Sequence, residues 1–561
     1  MAVVMLMPED NDEDWMKYAS AGFGQTDYSL WDEESEEVEV EEEPEQLDLD
    51  LPEQLGTHME EIPRAPNPAG LKHLVRSGCC DFCLGRLGGK KRYEQTIEDS
   101  GKEIRQSVLE GNSHLASVRE EITLCPFCEN LFEEADLLAD IIFDRIEPFE
   151  IKRLQLGTRF PKDQIEEEDA ARKRYAATGS DGLKTGLVTE IARNLNKRLE
   201  GVTLVNEKPH VLALIDVLTL TVELDVRAHY IYGRYRKLER GIPQTKWPCR
   251  ACKGRGCEKC NNTGLQYESS VQDLIGNPIL DVLQAPEHSF HGMGREDIDV
   301  RCMGRGRPFV IELKEPKLRS CNYQELENLI NEKANGSIEV SDLRSSNRSE
   351  VVRVKDTPAE KSYTIRYKIE PITVAELDIL TQVMEIPKKN NDRNRRKKNH
   401  YRKKKDKTEE QNEVDYSTLK KAELVDLCVA KGLAKSGTKD VLIDRLLSYK
   451  EPTLPLPDQD FVMDIMQNLQ GCTLAQRTPE RVAHRRADKI RKRKVMETSN
   501  PTIDSDADGN MIAEFSLRCE SGTYVKETVH GDGGRTQPSI ASLIKAKCTV
   551  EWLDVADIHA D

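Results

Sequence analysis

The residues best suited to chemistry in this chain of 561 residues lie between Gly294 and Arg301. There Gly-Arg-Glu-Asp-Ile-Asp-Val-Arg packs three carboxylates and two guanidiniums directly ahead of a strand-like run. Gly294 permits a close backbone approach, and a strand period of two sets Asp297 and Asp299 on one face with Ile298 on the other. One of the two carboxylates can then point into a cleft. The plain alternative is a solvated acidic turn paired with its own arginines. A second chemistry is carried by sulfur. Of the fifteen cysteines, eight form four C-x2-C pairs. Cys80/Cys83 and Cys125/Cys128 together can build a four-thiolate zinc site, with Cys79 as a spare. Cys249, Cys252, Cys257 and Cys260 form a compact C-x2-C-x4-C-x2-C cluster on a glycine-rich hairpin too small for a core of its own. Four thiolates leave no open coordination position, so both sites would be structural. Separately buried cysteines are the alternative.

Charge is strongly segregated. The net charge of -18 would argue against a nucleic-acid partner only if it were spread evenly. Asp32–Glu61 contains no Lys or Arg, Lys388–Lys407 carries twelve against two Asp, and Arg481–Lys494 is also basic. Residues 1–65 read as a disordered acidic tail. The paired cysteines suit a reducing compartment. Met1–Asp10 lacks the positive region of a signal peptide, and no run reaches the roughly 18 apolar residues of a membrane helix. A soluble cytoplasmic protein without a membrane partner is expected.

The elements that must position these groups are mixed. Helix is expected over Tyr93–Leu115, Glu167–Arg174 and Gly186–Leu199, and strand over Val202–Val205, Val211–Ile215 and Leu218–Val226, an α+β unit. In His229–Trp247 the rings of Tyr230, Tyr232 and Tyr235 interleave with Arg234, Arg236, Lys237 and Arg240, a pattern able to pair phosphates and stack bases; an amphipathic edge strand is the alternative. Val271–Leu283 reads as helix broken at Gly276–Pro278, Phe309–Leu313 as strand and Val462–Asn468 as helix. Arg477–Arg493 reads as a cation-rich strand-to-helix stretch, suited to phosphate contact or simply solvated.

Three segments carry a resemblance: Gly294–Arg301, Gln476–Val495 (QRTPERVAHRRADKIRKRKV) and Gly522–Ser539 (GTYVKETVHGDGGRTQPS). Together they closely resemble the archaeal and eukaryotic tRNA pseudouridine synthase family that modifies tRNA positions 54 and 55, in the right order from about Leu71 to the C-terminus. The resemblance implies a catalytic domain with a mixed or antiparallel sheet, preceded by a zinc-bearing, THUMP-like α+β domain. It puts Asp297 at the indispensable Asp of Gly-Arg-x-Asp, after Arg295. Lys361-Ser-Tyr363 matches the segment whose Tyr packs against the target uracil, and Lys526 the basic residue that pairs with the catalytic Asp. Leu543 matches a leucine of the uracil pocket. Arg535 would hold phosphate or brace the site, Arg234 and Arg236 belong to a loop that grips RNA, and Arg477, Arg485 and Arg486 would contact phosphates. No cofactor is implied for catalysis. The partner would be the tRNA T-arm.

Leu419–Leu447 (LKKAELVDLCVAKGLAKSGTKDVLIDRLL) resembles a SAP module, two short helices that bind nucleic acid. The expected organisation is a tail (1–65), a zinc and THUMP-like domain (66–246), a first synthase part with the zinc loop (247–387), a basic linker (388–414), the SAP-like insertion (415–450) and a second synthase part (451–561). The competing class is a non-catalytic tRNA-binding chaperone or scaffold. A mainly DNA-associated protein would rest on the SAP-like module alone.

Overall fold

The computed structural model describes residues 68–88, 95–175, 177, 179–382, 384, 416–449, 451–483, 486–507 and 509–560. The expected tail and basic linker, and Arg485, lie outside them. Within the described residues no helix is long and apolar enough to cross a membrane.

The architecture is α+β, built on two sheets. The smaller one has the order β2-β1-β3-β4, from β1 (Arg153–Arg159), β2 (Thr203–Leu204), β3 (Val211–Asp216) and β4 (Thr221–Val226). Alternation is clean in β3, where Val211, Ala213 and Ile215 are buried and their neighbours are not, as a half-covered strand requires. Against this sheet pack Ala135–Ile146 and Leu183–Asn196, whose Leu138, Ile142, Leu187 and Ile191 join one core with the first four paired cysteines.

The larger sheet has ten strands. They are β5 (His229–Lys237), β6 (Glu287–Gly292), β7 (Arg301–Lys314), β8 (Ile338–Ser346), β9 (Glu360–Glu370), β10 (Thr473–Arg477), β11 (Ile490–Ser505), β12 (Met511–Cys519), β13 (Thr536–Gln537) and β14 (Lys547–His559). The order is β13-β10-β11-β12-β9-β14-β7-β5-β8, with β6 on β7. Every pair is antiparallel except β14 with β7. Strand β9 precedes residues 385–415 in the chain, yet it is sandwiched between β12 and β14, which follow them; Tyr363 faces Leu517 on one side and Val555 on the other. The backbone ladder therefore joins the two parts into one sheet. Residues 416–448 stand apart as two short helices, Lys421–Ala430 and Lys439–Ser448, around a small core of Leu424, Cys428, Leu442 and Leu446.

Four local expectations are corrected. His229–Lys237 is neither a loop nor an edge strand: β5 lies between β7 and β8, with Ile231 and Tyr235 fully buried. The helix Val271–Leu283 runs through Pro278, because burial of Val271, Ile275, Ile279 and Leu283 along one face outweighs the lost hydrogen bond. Gly276 is required there, since a Cβ would lie 2.3 Å from the His288 ring. The basic stretch after Arg477 turns through Glu480–Val482 into β11, not into a helix. Lys526 sits in the first turn of a short helix, Val525–His530, instead of on a strand.

Candidate active site

The site grows from a buried charge. Glu296 and Arg307 are essentially solvent-free, with Arg307 Nε 2.9 Å from Glu296 Oε2 as an ion pair out of line for a hydrogen bond. Tyr235 Oη lies 2.9 and 3.0 Å from the two carboxylate oxygens, and Gln244 Nε2 donates to Oε2 at 3.3 Å. Burial, and after it the neighbouring Glu296 charge, pushes the Tyr235 phenol well up, so it remains a donor. The same groups hold the backbone of the loop. Arg307 donates to Met293 O at 2.7 Å, Gln244 to Gly294 O at 3.1 Å, and the buried Lys237 to Ile298 O at 2.8 Å and Asp297 O at 3.4 Å. Gly294 takes φ +74°, which its missing Cβ makes cheap. Asp297 and Asp299 thus sit on a turn closed by Val300 N to Asp297 O at 3.1 Å, not on the strand their alternation suggested.

Two cations from the later motifs meet this loop. Arg481 Nη1 lies 2.9 Å from Asp297 Oδ2 while its Nε binds the buried Glu527 Oε1 at 2.7 Å. Lys526 Nζ is 2.7 Å from Asp299 Oδ2 and 3.8 Å from Asp297 Oδ2. Lys526 is therefore nearer the second carboxylate, and Arg481 makes the short contact to the first. Burial alone would raise Asp299; the hydrogen bond and charge of Lys526 outweigh it and hold its carboxyl below the usual range. Asp297 Oδ1 has no hydrogen-bond partner among the described residues. Gln476, fully buried, donates to Tyr524 O and accepts from Tyr524 N, both at 2.9 Å, and so locks β10 to the helix bearing Lys526 and Glu527.

The remaining candidates divide. Arg295, exposed, lies over Trp247 at 5.6 Å. Tyr363 lies on β9, its phenol raised by burial. Lys361 approaches Gly294, where a Cβ would lie 3.8 Å from its Nζ, and burial followed by repulsion from Arg307 pushes its ammonium down to about 8. Leu543 is 36% exposed on Ile540–Ile544. Arg535 donates to Thr478 O at 2.7 and 3.1 Å, bracing the loop. Arg477 pairs with Asp488 at 2.5 Å and Arg486 donates to Tyr524 Oη at 3.2 Å. Arg234 is buried and spends its guanidinium on Gly306 O and Ala560 O, while Arg236 pairs with Glu339 on the neighbouring strand. Both carry out sheet work. Sequence reasoning passed over Arg307, Glu527 and the individual roles of Glu296, Gln476 and Arg481, and it read Lys237 as an RNA contact where the fold spends it on the loop backbone; an Arg two residues before the apolar run Phe309–Leu313 was the available sign that a buried carboxylate lay nearby.

Both cysteine groups assemble. In each, the four sulfurs lie within 4.8 Å of one another. In the hairpin cluster the Cys249–Cys257, Cys252–Cys260 and Cys257–Cys260 separations are 3.9, 3.8 and 3.7 Å, matching the edge of about 3.8 Å of a tetrahedron with metal–sulfur bonds of about 2.3 Å. Cys80 and Cys128 are 3.5 Å apart, and the buried Arg86 donates to Cys83 Sγ at 3.3 Å while pairing with Glu168. Either group can hold a metal ion.

With this geometry in hand, comparison with known proteins is decisive. A family model described as Pus10, C-terminal, matches residues 230–405 and 383–559, and so covers the larger sheet from Tyr230 onward, every group around the acidic loop and the hairpin cysteines. The tRNA pseudouridine synthase Pus10 of Methanothermobacter marburgensis is 31% identical over 494 residues, 86% of this chain and 96% of its own length. Those of Methanothrix thermoacetophila and Halorubrum lacusprofundi are 30% and 31% identical, again over 86% of this chain and 93% of their own lengths. The chain belongs to the Pus10 family of tRNA pseudouridine synthases. Within a Pus10 protein the buried pair beneath Asp297 is a rigid mount for the acidic loop.

Three measurements follow. Glu296→Gln leaves Arg307 buried without its counter-charge and should cost about 3–5 kcal/mol in a urea melt; a loss below about 0.5 kcal/mol would refute the mounting role. Cys83→Ser should lower bound metal from two ions per chain to one; a wild-type count of one or none would remove a site. For Lys361, the folded ammonium titrates near 8 and the unfolded one near 10.4. At pH 7 both states are charged and the fold bears the full desolvation cost. Lys361→Met should therefore raise stability at pH 7 by on the order of 1–3 kcal/mol. The gain should shrink from pH 8 to 10 as the wild-type fold sheds its proton and the unfolded chain keeps its own; a gain independent of pH would contradict this.

Proposed function

We propose that this chain isomerises uridine to pseudouridine in the T-loop of tRNA, at position 55 and also at 54, with Asp297 as the catalytic carboxylate. The observation that carries the reading is the Asp297 carboxylate itself. It projects from a loop mounted on the buried Glu296–Arg307 pair, has one oxygen held by Arg481 at 2.9 Å with Lys526 at 3.8 Å, and has no hydrogen-bond partner for the other among the described residues.

The chemistry asks for little else. The C1′–N1 bond breaks, the uracil turns, C1′ bonds to C5, and the C5 proton leaves while N1 gains one; atoms balance without any cofactor. Asp297 Oδ1 works at the ribose, and the cations on Oδ2 fix the carboxylate orientation. The target base must leave its stack to reach the site. Tyr363 stacks on it and Leu543 lines the pocket. Arg295, Arg535, Arg477, Arg485 and Arg486 serve the RNA backbone directly or by bracing the loops that meet it. The THUMP-like unit before β5 contributes RNA binding, and residues 415–450, read as a SAP-like module, engage further nucleic acid. Both cysteine groups hold structural zinc. Cysteines kept out of disulfides suit the reducing cytoplasm.

Purified protein incubated with unmodified tRNA transcript should yield pseudouridine in the T-loop, mapped at single-nucleotide resolution. Asp297→Asn should abolish product, by about 10³-fold or more, while tRNA affinity stays within about twofold. Tight binding without product in the wild type would favour the scaffold reading, and activity surviving Asp297→Asn would move the centre elsewhere.

A further inference from the structure

A groove beside the hairpin cysteine cluster, with Cys249 and Cys260 of that cluster in its wall, lies outside the acidic-loop site described above. It encloses about 630 Å³, within the roughly 300–1,000 Å³ of ligand pockets. Its lining offers two exposed cations, Arg250 and Lys259, the amides of Asn261 and Gln266, the Tyr267 ring, and a single carboxylate, Glu268. The balance of charge favours an anion, and the ring offers a stacking face. The groove is also connected to the acidic loop. Tyr267 meets Trp247 edge-on at 5.5 Å, and Trp247 lies under the guanidinium of Arg295 at 5.6 Å, two residues before Asp297. A continuous row of side chains, Arg295, Trp247 and Tyr267, thus links the acidic loop to the groove.

We propose that this groove is a subsite for one unpaired nucleotide of the substrate RNA, its phosphate between Arg250 and Lys259 and its base against Tyr267. The inference rests on the reading of the chain as an RNA-modifying enzyme and deepens it. A paired nucleotide keeps both faces of its base in the helix stack, so a concave site with a ring on its wall selects a looped-out one. Asn261 and Gln266 present donors and acceptors to the base edge, which gives the subsite a means of preferring one base over another. The cysteine hairpin, stiffened by its four sulfurs around a metal, supplies a wall that does not collapse when the nucleotide leaves.

The test uses full-length, metal-loaded protein and unmodified tRNA transcript, with affinity measured by fluorescence anisotropy across a KCl series. Tyr267→Ala should weaken binding about tenfold, the loss of one stacked base, and Tyr267→Phe should restore it. Arg250→Ala with Lys259→Ala should lower the slope of log K against log salt by about 1.4, two single-strand phosphate contacts. Both cations are exposed, so their loss leaves the hairpin folded, and this pair carries the test if Tyr267→Ala sheds its metal. Variants that keep both metals, with affinity and slope unchanged while the wild type binds tRNA and forms pseudouridine, would overturn the subsite alone. A wild type that neither binds nor modifies tRNA would overturn the functional reading and the subsite with it.

Discussion

Everything at the acidic loop depends on the ion pair between Glu296 and Arg307, buried where water cannot compensate either charge. Such a pair is poor value for stability alone, because desolvating both ions costs about as much as their attraction returns. Its worth lies in geometry. Arg307 comes from the middle of β7 and spends a further donor on Met293 O, Tyr235 comes from β5, and Gln244 reaches Gly294 O. The loop is thereby tied to two adjacent strands before Asp297 is placed. In the proposed reaction, a carboxylate carried on such a mount needs no reorganisation when charge develops at the substrate, which is where electrostatic catalysis gains most.

The partners of that carboxylate arrive from the far end of the chain, and the sheet is what brings them. Strand β9 pairs with β12 and β14, so residues on either side of 385–415 share one hydrogen-bonded ladder. Gln476 then fastens β10 to the helix that bears Lys526 and Glu527. An independent module can be carried between β9 and β10 because the ladder already fixes both ends of the excursion, and loop closure costs little more for a long insertion than for a short one. The two-helix unit at 416–448 has its own small core, as that arrangement requires.

Much of this was legible in the residues. The four C-x2-C pairs assemble as spacing predicts, since a knuckle is a local structure and metal geometry is strict. The α+β character and the positions of β3, β4 and the helix at Leu183–Asn196 follow from periodicity. What stayed hidden has one physical cause. Tyr235, Arg234 and Lys237 read as a basic, aromatic RNA surface because composition does not say which polar side chains are paired inside a sheet. β5 is an internal strand, and all three of these residues are buried on partners remote in sequence. The turn at Asp297–Val300, given only as the alternative to a strand, was passed by for a related reason: alternation over three residues is too short to tell a strand from a turn held by side chains.

The same reasoning changes how the basic run after Arg477 should be counted. Read as a line of text, Arg477–Lys494 offers nine Lys and Arg side chains to an RNA backbone, in a chain whose net charge is -18. In the fold, Arg477 is taken by Asp488, Arg481 by Glu527 and Asp297, Arg486 by Tyr524, and Arg491 by Thr478. Lys489, Lys492 and Lys494 remain exposed without ion-pair partners among the described residues. Lys492 and Lys494 alternate along β11 and so share a face. The run is therefore two sets superposed, an inner set of guanidiniums held by carboxylates and hydroxyls of the fold and an outer set of exposed ammoniums. Arginine suits the first, because its planar fork can bridge two carboxylates at once, as Arg481 does between Glu527 and Asp297. Lysine suits the second, as a hydrated point charge that meets phosphates without demanding one geometry.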